Sequence, residues 1–260
     1  MRVALGIAYR GAAYRGWQSQ PGKQTLQDHV ETALTAFADQ PLRCISAGRT
    51  DAGVHALNQV VHFDTPAQRA EDAWIRGMNR YLPDDIAIQW CRFPGDSFHS
   101  RGSALGRRYA YVLLESRVRP ALEAGLVGWT FRKLDGEVMR AASQSLLGTH
   151  DFSAFRSAEC QAPTPVKTMR SVGIERRGDY WRFDFDADAF LHHMIRNLMG
   201  CLIAVGSGLR DAAWLAGVLA QKDRALAAAT FAPDGLYFVG PYYDAAHAIP
   251  ERTPAMSWLP

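Results

Sequence analysis

The residues best suited to chemistry lie in one short segment, Ser46 to His55. Gly48 and Gly53 let its backbone turn sharply. Arg49 and Asp51 are two positions apart, so in an extended stretch their side chains project from the same face. The segment therefore presents a carboxylate beside a cation, and such a carboxylate can act as a nucleophile or as a general base.

The same segment also has a purely structural interpretation. Aspartate and threonine side chains commonly hydrogen-bond to the backbone of their own turn, and Thr50 and Asp51 are also what a plain connecting loop contains. Composition alone favours this turn-capping interpretation. The rest of the chain has to decide between the two.

The composition is that of an ordinary globular protein, with 260 residues of which 48% are hydrophobic and 21% charged. That length allows one large domain or two compact halves. No apolar run approaches the roughly 18 residues needed to span a bilayer, and no secretory signal is recognisable. We therefore expect a cytoplasmic protein with no membrane partner. The cysteines stand far apart without zinc-ligand spacing, which predicts free thiols.

The hydrophobic pattern predicts two successive βαββαβ halves. In the first half we expect strands at 2–9, 42–47, 58–64 and 86–90, and helices at 25–38, capped by Thr25, and 71–80. In the second half we expect strands at 107–114, 168–176, 180–187 and 236–243, and helices at 135–147, 190–205 and 211–221. The predicted fold class is α+β, with two tandem ferredoxin-like halves and mostly antiparallel sheets packed around a central active-site cleft. The predicted domains are 1–104 and 105–246, followed by a C-terminal tail at 247–260.

The run from Gly48 to His55, followed by Gln59 to Phe63, resembles the signature of the bacterial tRNA pseudouridine synthase A family. Further blocks of that family follow in family order along nearly the whole chain: Gly16-Trp17-Gln18, Asp84-Asp85-Ile86-Ala87, Phe98-His99-Ser100-Arg101, Arg107-Arg108-Tyr109, Phe190 to Asn197, Lys222-Asp223-Arg224 and Gly235-Leu236-Tyr237. One position departs from the pattern. Gly102 stands where the family usually has an aromatic residue, which predicts a looser contact near the rim of the active site.

The resemblance implies a role for five residues. Asp51 is the catalytic carboxylate, and Arg196 is the cation that pairs with it across the cleft. Tyr109 stacks on the target uracil and assists proton transfer, Arg49 assists base flipping, and Leu236 forms part of the apolar wall of the uracil pocket. Without the family, Arg196 would be interpreted as a surface arginine and Tyr109 as an ordinary sheet residue.

The resemblance also implies the substrate and the partners. The expected reaction converts uridine to pseudouridine at positions 38, 39 and 40 of the tRNA anticodon stem-loop, in a homodimer that needs neither cofactor nor metal and does not act on DNA. The loop with Tyr14, Arg15, Trp17 and Lys23 combines charge with aromatic rings and is predicted to contact RNA.

Two other function classes compete with this one. A non-catalytic RNA-binding protein would share the basic and aromatic clusters. A metal-dependent RNA hydrolase would need a ligand cluster that the sequence does not supply, since the adjacent His192 and His193 point about 100° apart on a helix.

Overall fold

The computed structural model describes residues 1–251, which form ten strands and five α-helices. The strands are β1 (Arg2–Tyr9), β2 (Ile45–Ser46), β3 (His55–Asp64), β4 (Ile86–Arg92), β5 (Gly106–Glu115), β6 (Gly128–Thr130), β7 (Gly148–Asp151), β8 (Val166–Arg177), β9 (Tyr180–Ala187) and β10 (Leu236–Tyr242). The helices are α1 (Leu26–Ala38), α2 (Glu71–Tyr81), α3 (Gly136–Ser143), α4 (Met194–Gly206) and α5 (Ala212–Gln221). Contacts divide the chain into two compact units. The first is Met1–Arg107 with the segment that begins at Tyr237, and the second is Arg108–Leu236.

The first unit is a mostly antiparallel sheet covered by two helices. β1 pairs with both β3 and β4, and β2 pairs with the other side of β3, which is the strand order of a ferredoxin-like half. Helix α1 begins at Leu26 because the Thr25 side chain accepts a hydrogen bond from the Asp28 N–H, as the sequence predicts. The helices bury fully enclosed side chains against the sheet, among them Leu26, Val30, Leu34, Trp74 and Met78.

The second unit combines the strands from β5 to β9 with α3, α4 and α5, and these three helices pack against one another. β8 and β9 form a long antiparallel hairpin that closes with Arg177 opposite Tyr180, and β7 pairs with the outer side of β8. Gly178 in this turn has φ +61, which glycine adopts without steric cost. β6 runs parallel to β5.

The predicted α+β fold class with mostly antiparallel strands is confirmed, but the structure differs from the expected elements in several places. β6 and β7 were not expected. The predicted helix at 135–147 ends at Ser143 and continues as a 3₁₀ turn. The predicted helix at 190–205 begins only at Met194, because His193 has φ 62 and cannot belong to a right-handed helix.

Contacts also divide the chain differently from the predicted boundaries. The sequence prediction divided the halves after residue 104 and kept the strand at 236–243 in the second half. In the structure the division follows Arg107, and Tyr237 joins the first unit because it pairs with His55 of β3 in parallel. Of the predicted tail, residues 252–260 lie outside the described residues. None of the helices within residues 1–251 combines the length and the apolar character that crossing a membrane requires.

A buried carboxylate joins several elements of the second unit. Glu115, at the end of β5, is 3% exposed. Its Oε2 accepts hydrogen bonds from Trp181 Nε1 at 2.9 Å and from the Leu134 N–H at 3.1 Å, and its Oε1 lies 3.0 Å from Lys133 Nζ and 3.2 Å from Arg176 Nη2. Burial by itself raises the pKa of Glu115, but the donors and cations together hold this pKa below its ordinary value.

We expect Glu115→Gln to lower the free energy of unfolding by about 2 kcal/mol at pH 7, because the charged hydrogen bonds are lost. The folded-state pKa lies below the unfolded one, so the carboxylate contributes fully above the ordinary glutamate pKa of about 4.3 and loses its contribution as the pH falls through the lowered value. The difference between the variant and the wild type should therefore shrink at acidic pH. Urea denaturation of the wild type and the variant at pH 7 and at pH 3 measures this difference in the free energy of unfolding. Glu137→Gln, at an exposed glutamate, is the control. An equal loss at pH 7 and at pH 3 would contradict an electrostatic role.

Candidate functional site

The segment that carries Asp51 is a loop of the first unit between β2 and β3. The Ala47 N–H donates to the carbonyl of Val60 at 2.8 Å, and the Val54 N–H donates to the Asp51 carbonyl at 3.2 Å, which closes a turn. Gly53 in this turn has φ +84, so the sharp bend expected from the glycines is present. Asp51 is half-buried in this loop.

Burial alternates along the residues before that turn. Arg49 is exposed, Thr50 is 6% exposed, and Asp51 is intermediate between them. Thr50 therefore faces the interior while its two neighbours project toward the surface. This agrees with the expectation that Arg49 and Asp51 lie on one face of the loop.

Residues at the end of β1 and in the segment after it contact the loop and hold it in place. The Tyr9 hydroxyl and Thr50 Oγ1 are 2.8 Å apart, and the Trp17 N–H donates to the Thr50 carbonyl at 3.0 Å. Gly16 has φ +81, and a Cβ atom at this position would lie 2.8 Å from the Thr50 carbonyl oxygen. Only glycine lets the two backbones approach so closely. Motif reasoning found the Gly16-Trp17-Gln18 block but not this supporting role, nor that of Tyr9.

The structure corrects the prediction that the loop after β1 contacts RNA through its aromatic rings. Trp17 is 1% exposed and Tyr14 is 8% exposed, so both belong to the interior. The Gln27 N–H donates to the Trp17 carbonyl, which attaches this loop to the first turn of α1. Arg15 and Lys23 are exposed and keep their predicted place at the surface.

The two histidines of β3 are structural. His55 is 1% exposed, its Nδ1 accepts the Gly11 N–H at 3.1 Å, and its ring stacks on Tyr237 with centroids 4.7 Å apart. His62 is 3% exposed and lies 2.9 Å from the hydroxyl of Ser100 through its Nδ1. Burial lowers the pKa of His62 to about 4, so this ring is neutral at physiological pH.

Three arginines of the first unit lie close together beside the loop. Arg107 Nη2 donates to the Arg101 carbonyl at 2.9 Å and to the Ala47 carbonyl at 3.2 Å. Burial lowers the pKa of Arg101, and the neighbouring cations Arg49 and Arg107 lower it further. Like charges held this close are suited to a polyanion such as a nucleic-acid backbone.

The turn that presents Arg101 is well ordered by hydrogen bonds. His99 Nδ1 accepts the backbone N–H groups of Arg101 at 3.2 Å and Gly102 at 3.0 Å. The nearest atoms to a Cβ atom at Gly102 would be those of the His99 side chain, at 3.5 Å or more, which is ordinary contact. The backbone therefore does not require glycine at the position that departs from the family pattern.

The other predicted site residues belong to the second unit. Tyr109, on β5, is half-buried, and its ring packs edge-on against Phe190 with centroids 5.1 Å apart. Arg196 lies in the first turn of α4, where its Nε donates to the Phe231 carbonyl at 2.8 Å and its own carbonyl accepts the Phe231 N–H at 3.0 Å. Leu236, the first residue of β10, is 4% exposed. The Phe231 carbonyl is thus one partner of the Arg196 guanidinium group, and the pairing of Arg196 with Asp51 stays a prediction.

A buried asparagine anchors the turn that carries Arg196. Asn197 is 1% exposed, and its Nδ2 donates to the Phe155 carbonyl at 2.9 Å. Its Oδ1 accepts hydrogen bonds from Thr230 Oγ1 at 2.7 Å and from Arg224 Nη2 at 3.1 Å. The Lys222-Asp223-Arg224 block therefore has a structural function that the sequence did not indicate.

The structure places Arg49 and Asp51 together in one loop, and Tyr109, Arg196 and Leu236 in the second unit.

Comparison with known proteins identifies close relatives. Residues 7–101 and 142–244 match the family model described as tRNA pseudouridine synthase, a match that includes Asp51 and Arg196 and leaves out Tyr109. The chain is 67% identical over 260 residues to the tRNA pseudouridine synthase A of Methylibium petroleiphilum, 60% identical over 264 residues to that of Polaromonas naphthalenivorans, and 56% identical over 278 residues to that of Paracidovorax citrulli. Each alignment covers all of both chains.

The close backbone approach beneath the loop can be tested by Gly16→Ala. The added methyl group would collide with the Thr50 carbonyl, and a backbone with φ +81 is strained for alanine. We therefore expect the free energy of unfolding to fall by at least about 1 kcal/mol. Gly22→Ala is the matched control, because a Cβ atom there meets nothing within 4 Å. Urea denaturation measures both variants, and equal stability of the two would show that the approach is not constrained.

Proposed function

Because the chain belongs to the tRNA pseudouridine synthase family, we propose that it isomerises uridine to pseudouridine at positions 38, 39 and 40 of the tRNA anticodon stem-loop. The family match spans most of the chain, and the relatives are similar over their full length. The observation that carries the proposal is Asp51 itself. Asp51 is half-buried beside the exposed Arg49. The residue before it, Thr50, is held in the interior by the hydrogen bonds of its side chain and of its carbonyl.

The proposed reaction breaks the N1–C1′ glycosidic bond, rotates the uracil and joins it to C1′ through C5, with loss of the C5 proton and gain of one at N1. No atoms are gained or lost overall, so the reaction needs no redox partner and no energy source. A carboxylate can attack carbon as a nucleophile or remove the proton from C5 as a base. We assign the reacting carboxylate, by either route, to Asp51. The half-buried position supports it, because electrostatic interactions strengthen where water is partly excluded.

We assign the remaining roles from the family resemblance. Tyr109 is proposed to stack on the uracil and to assist proton transfer, and its packing against Phe190 supports a fixed ring orientation. Arg196 is proposed as the cation that pairs with Asp51, and the Phe231 carbonyl fixes one edge of its guanidinium group. Leu236 is proposed as part of the apolar wall of the uracil pocket.

We propose that Arg101 and Arg107, which lie close to Arg49, bind the phosphates around the target nucleotide. Their proximity in the first unit supports this, since RNA binding gains from neutralising several phosphates at once. Several neighbouring target positions would then be recognised by backbone and shape more than by base sequence. As the resemblance implies, we further propose that the enzyme acts as a homodimer in the cytoplasm.

Asp51→Asn is expected to reduce pseudouridine formation by roughly 100-fold or more, because the amide is neither a nucleophile nor a base. The assay incubates unmodified tRNA transcript with the protein in chelator and maps pseudouridine. Asp39→Asn is the control, since Asp39 ends α1 in a left-handed conformation that asparagine also accepts. If the wild type forms no product either with or without chelator, or if Asp51→Asn forms as much as the wild type, the proposed function fails. Loss of product caused by chelator would indicate a metal-dependent reaction.

Arg49→Ala is expected to slow single-turnover pseudouridine formation by about tenfold or more, because extruding a base costs a few kcal/mol and the cation assists that step. The dissociation constant for tRNA should change little, because Arg101 and Arg107 keep their charges. Arg43→Ala, which removes an exposed arginine before β2, is the matched control. Turnover at the wild-type rate would remove the flipping role of Arg49.

A further inference from the structure

Gln59 is a fully buried polar residue beneath the Asp51 loop. It lies on β3 with 0% exposure, and its Nε2 donates to the Gly48 carbonyl at 2.6 Å. That carbonyl fixes the orientation of the amide, because the reverse orientation would bring two oxygens together. The other end of the amide, Oε1, is buried and has no hydrogen-bond partner among residues 1–251.

A buried acceptor without a partner lowers the stability of the folded state. The strand does not require a polar side chain here, since the next two residues, Val60 and Val61, are apolar and fully buried. A leucine or methionine at position 59 would avoid the unpaired side-chain oxygen, but it would take the donor away from the Gly48 carbonyl. The polar group of Gln59 is instead directed at the loop through the Gly48 carbonyl, and the same side chain also interacts with the Tyr9 hydroxyl.

Tyr9 makes the corresponding contact two residues further along the loop. Its hydroxyl lies 2.8 Å from Thr50 Oγ1, and both residues are almost completely buried. Burial raises the pKa of Tyr9, so the hydroxyl keeps its proton at physiological pH.

The two contacts hold the residues on either side of Arg49. Gln59 holds the carbonyl of Gly48, and Tyr9 holds the side chain of Thr50, whose own carbonyl begins the peptide bond to Asp51. A reacting group has to stay within about 0.5 Å of its productive position, and a displacement of about 1 Å can cost 100-fold in rate. The hydrogen bonds therefore act where small movements of the backbone would displace the carboxylate.

We propose that Gln59 and Tyr9 are positioning residues of the pseudouridine-forming reaction, which fix the Gly48 to Thr50 backbone so that Asp51 meets the target nucleotide in reactive geometry. This inference rests on the proposed function. It assigns neither residue a contact with the substrate. Its consequence is that the two side chains determine the rate of the chemical step and not the affinity for RNA.

Gln59→Leu separates positioning from support of the fold. The leucine removes the unpaired oxygen together with the donor to the Gly48 carbonyl, so the two effects on stability offset each other and the melting temperature should change little. The single-turnover rate on tRNA transcript should nevertheless fall by about tenfold, with little change in the dissociation constant for tRNA. Ile88→Val is the control, because it shortens a buried side chain of β4 away from the loop. It should lower the melting temperature and leave the rate unchanged.

Gln59→Glu adds a signature that a structural role would not produce. A neutral glutamic acid carries an O–H that can donate to the Gly48 carbonyl, whereas the carboxylate has no donor. The rate of this variant relative to the wild type should therefore rise as the pH falls. If Gln59→Leu does not fold, Gln59→Glu and Tyr9→Phe provide the test, and Tyr9→Phe should lower the rate without weakening tRNA binding.

The inference is overturned if folded Gln59→Leu reacts at the wild-type rate, if its loss is confined to tRNA affinity, or if the relative rate of Gln59→Glu does not change with pH. These results differ from a failure of the proposed function. If the wild type forms no pseudouridine, the function itself is wrong. If the wild type is active and Gln59→Leu is equally active, only the positioning role is wrong.

Discussion

Two backbone segments of the first unit approach each other so closely that no side chain fits between them. A Cβ atom at Gly11 would lie 1.9 Å from the Val54 carbonyl oxygen, and one at Gly16 would lie 2.8 Å from that of Thr50. The segment after β1 therefore fixes the loop before β3 at two points, one on each side of Asp51. The remaining features of the loop, from the buried Thr50 to the stacking of His55 on Tyr237, are compatible with this approach.

The second unit holds its polar groups in a different way. Glu115 and Asn197 are nearly inaccessible to solvent, and each is surrounded by several partners, so that their polarity is satisfied inside the unit. Buried polar groups that are fully paired favour one arrangement of the elements around them. The first turn of α4, with Arg196, is held by such pairing, whereas the Asp51 loop is held by close backbone contact and by the two single hydrogen bonds from Gln59 and Tyr9.

The sequence predicted local structure well and long-range contacts poorly. The cap of α1 at Thr25 and the turn at Gly53 follow from local chemistry and are present. The buried position of Trp17 and the pairing of Tyr237 with His55 depend on residues distant in the chain, which periodicity does not reveal. For the same reason Gln59 was noticed only as part of a motif. The catalytic roles of the predicted site residues stay predictions.

A loop fixed in this way has a consequence for substrate recognition. If the enzyme modifies several neighbouring positions, either the carboxylate or the RNA has to adjust for each target. The Gly48 to Thr50 backbone is held by contacts to β1, to the segment after it and to β3, which leaves little freedom for the loop. With the roles proposed for Asp51 and the arginines, the adjustment would come from the RNA, because phosphates repeat regularly along its backbone and carry no sequence information. A rigid carboxylate and a tolerant phosphate surface are thus complementary requirements of one enzyme with several targets.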